Sequence, residues 1–497
     1  MTPPVHTAVA DWLRAGAGST AQCERRIETP ISFVYLFEDR VLKQKRPVDF
    51  GFLDFTSPDK RKIAVARELR LNLRMAPDIY RRVLGVAPDG AGFRWVAFDD
   101  PQAVDFILEM RRFDETAVLA NRPDALDGDL AEALGRAVAK IHAEAPEGEA
   151  GGGAEGLAYV VGSNADHWRH LSALLGEKAV AEVAGATRAR LAEHGPLLDQ
   201  RAAEGFVRQC HGDLHLGNIL VEDGQCRLFD CIEFNDRLSE IDILYDLAFL
   251  LMDLGFRGKV EAANRALNGW LDAAARDFDL SELYRGLAAL PLFLSVRAGV
   301  RCHVCGHQGE GEAARAYLAA ARQALETEPP ELICVGGLSG SGKTSLARAL
   351  APRLGASPGA VILRSDEVRK RLAGVAPLTP LPAVAYSNQV DGQVYEALFS
   401  GAEQVLAAGR SVILDATFRD PALRARALSL SPRARGIWLE ARPDVLRARV
   451  AGRQGDASDA DLAVLEHQLA KAAPVTDWNG VDAEAPLGRQ VARALER

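Results

Sequence analysis

The sequence predicts an α+β region followed by a C-terminal α/β domain built on a parallel sheet, and three observations carry that prediction. Between about residues 20 and 110, short β-like runs (SFVYLF, RVLKQK, VDFILEM) surround one helical stretch, Asp59 to Leu73, the pattern of a small sheet with a helix. From Gly128 to His142 and from Glu240 to Leu254 apolar residues recur at helical spacing, so a mostly helical lobe follows the mixed one. After Pro330, buried-type strands alternate with helices: ELICVGG before TSLARAL, AVILRSD before EVRKRL, SVILDAT before PALRARAL, and RGIWLEA before PDVLRARVAG.

The chain has 497 residues, which at roughly 150 residues per domain suggests about three structural units with several cores. A 48% hydrophobic and 26% charged composition excludes wholesale disorder and fibrous repeats. The balance of 59 basic against 68 acidic residues, net -9, argues against a broad nucleic-acid-binding surface, though not against a local basic site. No run of about eighteen apolar residues is present. The start, MTPPVHTAVADWLRAGAG, lacks a basic n-region and an apolar h-region, so a cytoplasmic protein without a membrane partner is expected. Seven scattered cysteines fit reduced thiols better than a disulfide framework. Two stretches punctuate the chain, Glu147 to Gly156 and Glu326 to Glu331. Only the second reads as a domain boundary, giving domains 1–328 and 329–497.

Gly337-Leu-Ser339-Gly340-Ser341-Gly342-Lys343-Thr344 fits the P-loop pattern GxxxxGK[ST], with an apolar strand before it and a helix after it. Its glycines let backbone N–H groups wrap around phosphates. Lys343 reaches the β and γ phosphates, and Thr344 ligates Mg²⁺. The strand SVILDATF ends in Asp415, where a carboxylate holds Mg²⁺ or its water; a helix cap is the alternative. Ser365, Asp366 and Arg369 fall at the C-terminal end of another strand, where open α/β sheets bind ligands. Asp366 there either accepts a proton from a substrate hydroxyl or caps a helix. Arg447, Arg449 and Arg453 precede a polar stretch and form either a lid or a solvated helix face.

In the N-terminal part, His211-Gly-Asp213-Leu-His-Leu-Gly-Asn218 is followed by a short strand ending at Asp230. A phosphotransferase needs an Asp to orient and deprotonate a hydroxyl, an Asn for one metal, and a second Asp for the Mg²⁺ that bridges the phosphates. Asp213, Asn218 and Asp230 supply these in the right order and with the spacing of a kinase catalytic loop.

The C-terminal motifs resemble P-loop kinases of the polynucleotide kinase, gluconate kinase and zeta-toxin type over residues 331 to 497. That resemblance implies a base role for Asp366, a clamp role for Arg369, and charge-stabilising lid arginines, Arg449 and Arg453. The HGDxxxxN loop, with Asp246 in YDLAFLLMDL downstream, is similar to the aminoglycoside phosphotransferase and choline kinase branch of the bilobal protein-kinase-like fold over residues 20 to 325. The domain order resembles a family of fused phosphotransferase and ATP-binding proteins. This resemblance implies an ATP-anchoring lysine, Lys43 with Lys45 as the alternative on the same strand face, and Glu68 as its helix partner. Two departures stand out. Thr29-Pro-Ile-Ser32 replaces the glycine-rich loop, and Cys-Ile-Glu rather than Phe-Gly follows Asp230.

The expected protein is a bifunctional ATP- and Mg²⁺-dependent kinase acting on hydroxyls of small molecules. The alternative is a P-loop kinase with a catalytically idle kinase-like module; nucleic acid is not an expected partner, and the oligomeric state is left open. Cys302-His303-Val-Cys305-Gly-His307 offers donor atoms, but no second ligand pair lies nearby in sequence, so no zinc site is predicted there.

Overall fold

The computed structural model describes residues 5–18, 22–51, 53–452 and 458–496. The chain gathers into two compact units, one of Met1–Leu126, Glu144–Leu157 and Ala202–Leu250, the other of Asp127–Ala143, Ala158–Arg201 and Leu251–Arg497.

The first unit starts with helix α1 (Val5–Arg14) and strands β1 (Arg25–Glu28), β2 (Ser32–Leu36) and β3 (Arg40–Lys45). Helix α2 (Pro58–Leu73) and strands β4 (Tyr80–Asp89), β5 (Gly92–Val96) and β6 (Asp105–Arg111) follow. The strands form one antiparallel sheet in the order β1-β2-β3-β6-β4-β5. Period-two alternation gives this sheet two apolar faces. Leu36, Val41 and Leu108 pack with Val65 of α2, whereas Tyr35, Leu42 and Ile107 pack with Val9 and Leu13 of α1. Lys43 and Lys45 share the parity of Val41 and therefore the face of α2. That helix is well specified locally: Ser57 accepts the Lys60 N–H, Pro58 opens the first turn, and Asp59 complements the helix dipole.

Helices α3 (Gly128–Glu144), α4 (Gly153–His170), α5 (Ser172–Leu175) and α6 (Glu177–Ala203) come next, mainly in the second unit. The chain returns to the first unit with β7 (Val207–Gln209), the hairpin β8 (Ile219–Glu222) and β9 (Gln225–Leu228), short α7 (Asp236–Ser239), β10 (Glu240–Asp242) and α8 (Ile243–Phe256). Asp223 and Gly224, both at positive φ, close the hairpin in the left-handed conformation that a two-residue turn requires. Sequence periodicity predicts helix from Glu240 onward, but Glu240–Asp242 pairs with β7 and the helix starts at Ile243. A pairing to a strand some thirty residues upstream leaves no mark on local spacing.

The second unit continues with α9 (Val260–Ala274), α10 (Leu280–Gly286), α11 (Leu290–His307) and α12 (Gly311–Ala324). The run Leu280–His307 is long and apolar enough to cross a membrane, but 67% of its most apolar window is buried inside the protein, the behaviour of a core helix. Next come β11 (Leu332–Gly337), α13 (Lys343–Leu350), β12 (Val361–Arg364), α14 (Ser365–Leu372) and α15 (Asn388–Ala407). The chain ends with β13 (Val412–Asp415), α16 (Pro421–Ser429), β14 (Ala434–Glu440), α17 (Pro443–Ala451), α18 (Leu462–Ala470), β15 (Asn479–Asp482) and α19 (Leu487–Leu495). These five strands form an all-parallel sheet, β12-β13-β11-β14-β15. Every residue of the central strand β11 is buried, as expected of a sheet covered on both faces.

An open sheet edge leaves backbone donors and acceptors unpaired, and on the β12 side α9 meets that demand. The Ile362 N–H donates to Asn268 Oδ1 at 2.7 Å, and Asn264 Nδ2 donates to the Ala360 carbonyl at 2.9 Å. Beside them, Glu132 of α3 pairs with Arg136 at 2.8 Å, Arg265 at 2.8 Å and Arg348 of α13 at 2.9 Å. Burial opposes ionisation of Glu132, but these guanidiniums hold its carboxyl below the usual range. The helix after the P-loop motif is thereby tied to α3 and α9. Asn268→Ala leaves the Ile362 N–H without its partner and is expected to cost about 1–3 kcal/mol. Urea unfolding of the full chain checks this, and an unchanged midpoint would show that the edge does not rely on Asn268.

Candidate active sites

The first site is organised around Glu68, fully buried on the sheet-facing side of α2. Lys43 Nζ approaches Glu68 Oε1 at 2.6 Å and Asp230 Oδ1 at 2.5 Å. Lys45 Nζ approaches Glu68 Oε2 at 2.6 Å and also pairs with Glu233. Both lysines named from the sequence therefore touch Glu68, and Lys43 is the one that also touches Asp230. Burial would strip the proton from Lys43, but the charges of Asp230 and Glu68 outweigh it and hold the ammonium well above its ordinary range. Burial likewise opposes ionisation of Glu68, and Lys43 and Lys45 overcome it, pulling the carboxyl to about 2.

Asp230 itself adopts a left-handed backbone, φ 61°. Non-glycine residues pay for that conformation unless neighbours fix it. The Asp230 N–H donates to Tyr80 Oη at 2.9 Å, and the next N–H, of Cys231, donates to Asn72 Oδ1 at 3.1 Å. Asn72 lies one turn beyond Glu68 on α2, so the same helix face sets both the lysine partner and the Asp230 turn.

The HGDxxxxN loop is held from two sides. Asp246, buried at the start of α8, accepts the N–H groups of His211 at 3.2 Å and Gly212 at 2.8 Å. Gly212 has φ +80°, and a Cβ there would lie 2.7 Å from the Leu238 carbonyl, so no side chain fits. Asn218 Nδ2 donates to the Asp213 carbonyl at 2.9 Å and to its carboxylate at 3.0 Å. The Phe229 N–H donates to the Asn218 carbonyl at 3.0 Å, and the Phe229 carbonyl meets His211 Nε2 at 2.9 Å. These bonds stitch the Asp213–Asn218 loop to the segment that carries Asp230. At the β1–β2 turn, where a glycine-rich loop is lacking, Thr29 Oγ1 and the Ser32 backbone exchange hydrogen bonds of 2.9 and 3.0 Å. Ser32 Oγ there is buried without a hydrogen-bond partner among the described residues.

The second site lies at the C-terminal ends of the parallel strands in a cleft of about 750 Å³, a size suited to a small-molecule ligand. Gly337, Gly340 and Gly342 all have positive φ. At Gly337 a Cβ would come 2.6 Å from Ser341 Oγ, and at Gly340 2.9 Å from the Leu446 carbonyl, so the wrap depends on glycine at both. Lys343 opens α13 and folds its Nζ back onto the carbonyls of Gly337 at 3.0 Å and Leu338 at 3.1 Å. Thr344 Oγ1 donates to Asp415 Oδ2 at 2.7 Å. Ser341 Oγ is buried with no hydrogen-bond partner among the described residues, an unsatisfied polar group inside a loop whose chemistry suits phosphate. The Ser339 N–H donates to Gln468 of α18 at 2.8 Å.

Asp366 lines the same cleft. It sits in the first turn of α14, whose start at Ser365 is earlier than the strand pattern suggests. Burial pushes its carboxyl up, Arg364 opposes, and Asp415 adds to the push. Arg369 also lines the cleft and is anchored by Asp391 at 2.7 Å, by the Ala385 carbonyl at 2.7 Å and over the Tyr386 ring. Arg449 lines it as well, donating to the Ala483 carbonyl at 2.9 Å. Arg453 lies outside the described residues. Sequence reasoning missed Asn72, Tyr80, Glu233 and Gln468. Asn72 alone carried a local signal, its position four residues after Glu68 on a helix.

Comparison with known proteins places these sites in context. A family model described as a phosphotransferase enzyme family matches residues 65–284, and one described as an AAA domain matches residues 332–475. Uncharacterized proteins from Mycobacterium tuberculosis and Mycobacterium bovis are each 32% identical over 511 residues, covering 94% of this chain and 94% of the relative. Among solved structures, a sugar kinase from a Janibacter species is 23% identical, covering 34% of this chain and 93% of its own, with a TM-score of 0.27. A choline/ethanolamine kinase family protein from Mesorhizobium loti is 15% identical, covering 65% of this chain and 95% of its own, with a TM-score of 0.38.

The acid sensitivity of the first unit should trace to Glu68. Its folded-state value of about 2 lies below the roughly 4.3 of an unfolded glutamate. The unfolded chain therefore binds more protons between those values, and the stabilisation is complete above about pH 4.5 and lost as pH falls toward 2. Glu68→Gln is expected to cost about 3–5 kcal/mol at neutral pH and to flatten the loss of stability between pH 5 and 3. Thermal unfolding of both proteins across that range is the check; equal slopes would clear Glu68 of the role.

Proposed function

Because the chain belongs to the family of the mycobacterial relatives and joins a phosphotransferase-family domain to a P-loop domain, we propose that it is a bifunctional ATP-dependent phosphotransferase. In this reading residues 1–328 and 329–497 each transfer a phosphoryl group to a hydroxyl of a small molecule in the cytoplasm. One observation supports it above the others: the same functional set occurs twice. Lys43, Asp230 and the Asp213–Asn218 pair form one copy; Lys343, the Thr344–Asp415 pair and Asp366 form the other.

The donors fit Mg²⁺-ATP. Oxygen ligands suit a hard cation, and the buried hydroxyls of Ser32 and Ser341, without hydrogen-bond partners among the described residues, fit phosphate-facing turns. Asn218 and Asp230 would hold the metal at the first site, and Thr344 and Asp415 at the second. When bound, Mg²⁺-ATP supplies the phosphoryl group with part of its charge neutralised. Lys43, positioned by Glu68, and Lys343 with the Gly337 to Gly342 backbone would bind and orient the phosphates. Asp213 and Asp366 would each take the acceptor's proton as its oxygen bonds to phosphorus. The raised carboxyl of Asp366 makes it the better base near neutral pH. Arg369 and Arg449 would steady negative charge from the cleft wall.

Acceptor-stimulated ADP release by the full chain, screened over sugars, amino alcohols and aminoglycosides, tests this reading. Two groups of acceptors are expected. Asp213→Asn should slow turnover of one group by about a hundredfold or more, and Lys343→Ala should do the same to the other. Asp366→Asn should depress the second group's turnover while leaving nucleotide affinity near wild type. If Lys343→Ala removes all turnover and Asp213→Asn none, the N-terminal domain is an idle binding module. If neither changes turnover, phosphoryl transfer at these sites is wrong.

A further inference from the structure

The run Cys302-His303-Val-Cys305-Gly-His307 closes α11, and the helix sorts its donors onto two faces. Cys302 and Cys305 turn into the core, 0% and 2% exposed. His303 and His307, one turn apart, share the other face. A third imidazole meets them there from a helix more than a hundred residues upstream, His167 of α4.

The three side chains are close enough to share one ion. Their candidate ligand nitrogens all lie within 4.8 Å of one another, and His167 Nδ1 is 3.0 Å from His307 Nε2. The His167 and His303 rings stack with centroids 4.4 Å apart. Tetrahedral zinc with imidazole nitrogens at about 2.0–2.1 Å requires nitrogen separations of roughly 3.3 Å, so modest side-chain rotation converts the cluster into a ligand set. The helices beneath are locked in register. Asn164 Nδ2 donates to the Val296 carbonyl at 3.0 Å and Trp168 Nε1 to the Gly299 carbonyl at 3.2 Å. A Cβ at Gly299 would lie 2.5 Å from the Trp168 ring, which fixes how closely the helices approach. Ligands on rigid, tightly packed elements are preorganised for a metal.

We propose that His167, His303 and His307 form a binding site for one divalent transition-metal ion of the zinc class, which clips α4 to α11 and leaves a fourth position for water beside the exposed His307. Three imidazoles without a carboxylate suit borderline ions such as zinc and cobalt, and are a poor match for magnesium or calcium. The cysteines stay out of the set: Cys302 and Cys305 are buried in the core, and the close donor group consists of the three imidazoles.

Untagged full-length protein, stripped with a chelator and titrated with Co²⁺, provides the test. The expected result is one equivalent of Co²⁺ with the intense visible absorption of a tetrahedral site, displaced by Zn²⁺, and a higher melting temperature with either ion. His307→Ala, at an exposed position that the fold does not need, should weaken Co²⁺ binding by about a hundredfold or more while Mg²⁺-dependent ATP turnover stays unchanged. His303→Gln should do the same and serves as the second variant. Absence of the tetrahedral spectrum at millimolar Co²⁺, or an unaltered spectrum and affinity in both variants, would overturn the proposal.

Discussion

Glu68 is a carboxylate shut off from water, and the N-terminal site takes its shape from the need to neutralise it. A buried charge without a partner is costly. The alternation of β3 answers by sending Lys43 and Lys45 to the α2 face, one ammonium to each oxygen of Glu68. Each lysine then has capacity left for one more carboxylate. Lys43 takes Asp230 and Lys45 takes Glu233, so the segment after β9 is drawn to the sheet by charge. Asn72 and Tyr80 hold that segment's backbone in a conformation it would not otherwise favour. Asp415 plays a comparable part in the second site: it is almost wholly buried at the end of β13 and is matched by Thr344 at 2.7 Å and Arg364 at 3.5 Å.

Much of this was legible in the sequence, and the rest was not for identifiable reasons. Strand β3 occupies the RVLKQK segment read from its alternation, and α2 begins one residue from the predicted start, because apolar periodicity and caps are local signals. The fold class holds, an α+β region followed by a parallel-sheet domain that carries the P-loop, and the two family matches bear out the fused architecture. The P-loop is dense in sequence, so its conformation could be anticipated residue by residue. The choice between Lys43 and Lys45 could not, since strand parity treats them alike and only the position of Asp230 separates them. Gln468, which receives the Ser339 N–H, and His167, which meets His303 and His307, approach from far along the chain and leave no local trace.

The way the second unit is assembled bears on what can be separated. Asn264 and Asn268 satisfy the open edge of β12, and Glu132 gathers Arg136, Arg265 and Arg348. A chain cut at the sequence boundary near residue 328 would lose all of these except Arg348, and would expose the Ile362 N–H and the Ala360 carbonyl. The full chain is therefore the right material for assigning activities, with single substitutions in place of truncation.

The central claim is that one chain holds two independent sites for Mg²⁺-nucleotide, and counting those sites is its most direct test. Calorimetric titration of the full chain with a non-hydrolysable ATP analogue and Mg²⁺ should give two equivalents bound. Lys343→Ala should reduce that to one, and Lys43→Ala should remove the other. A single equivalent in the unaltered protein, lost entirely with Lys343→Ala and indifferent to Lys43→Ala, would contradict the account.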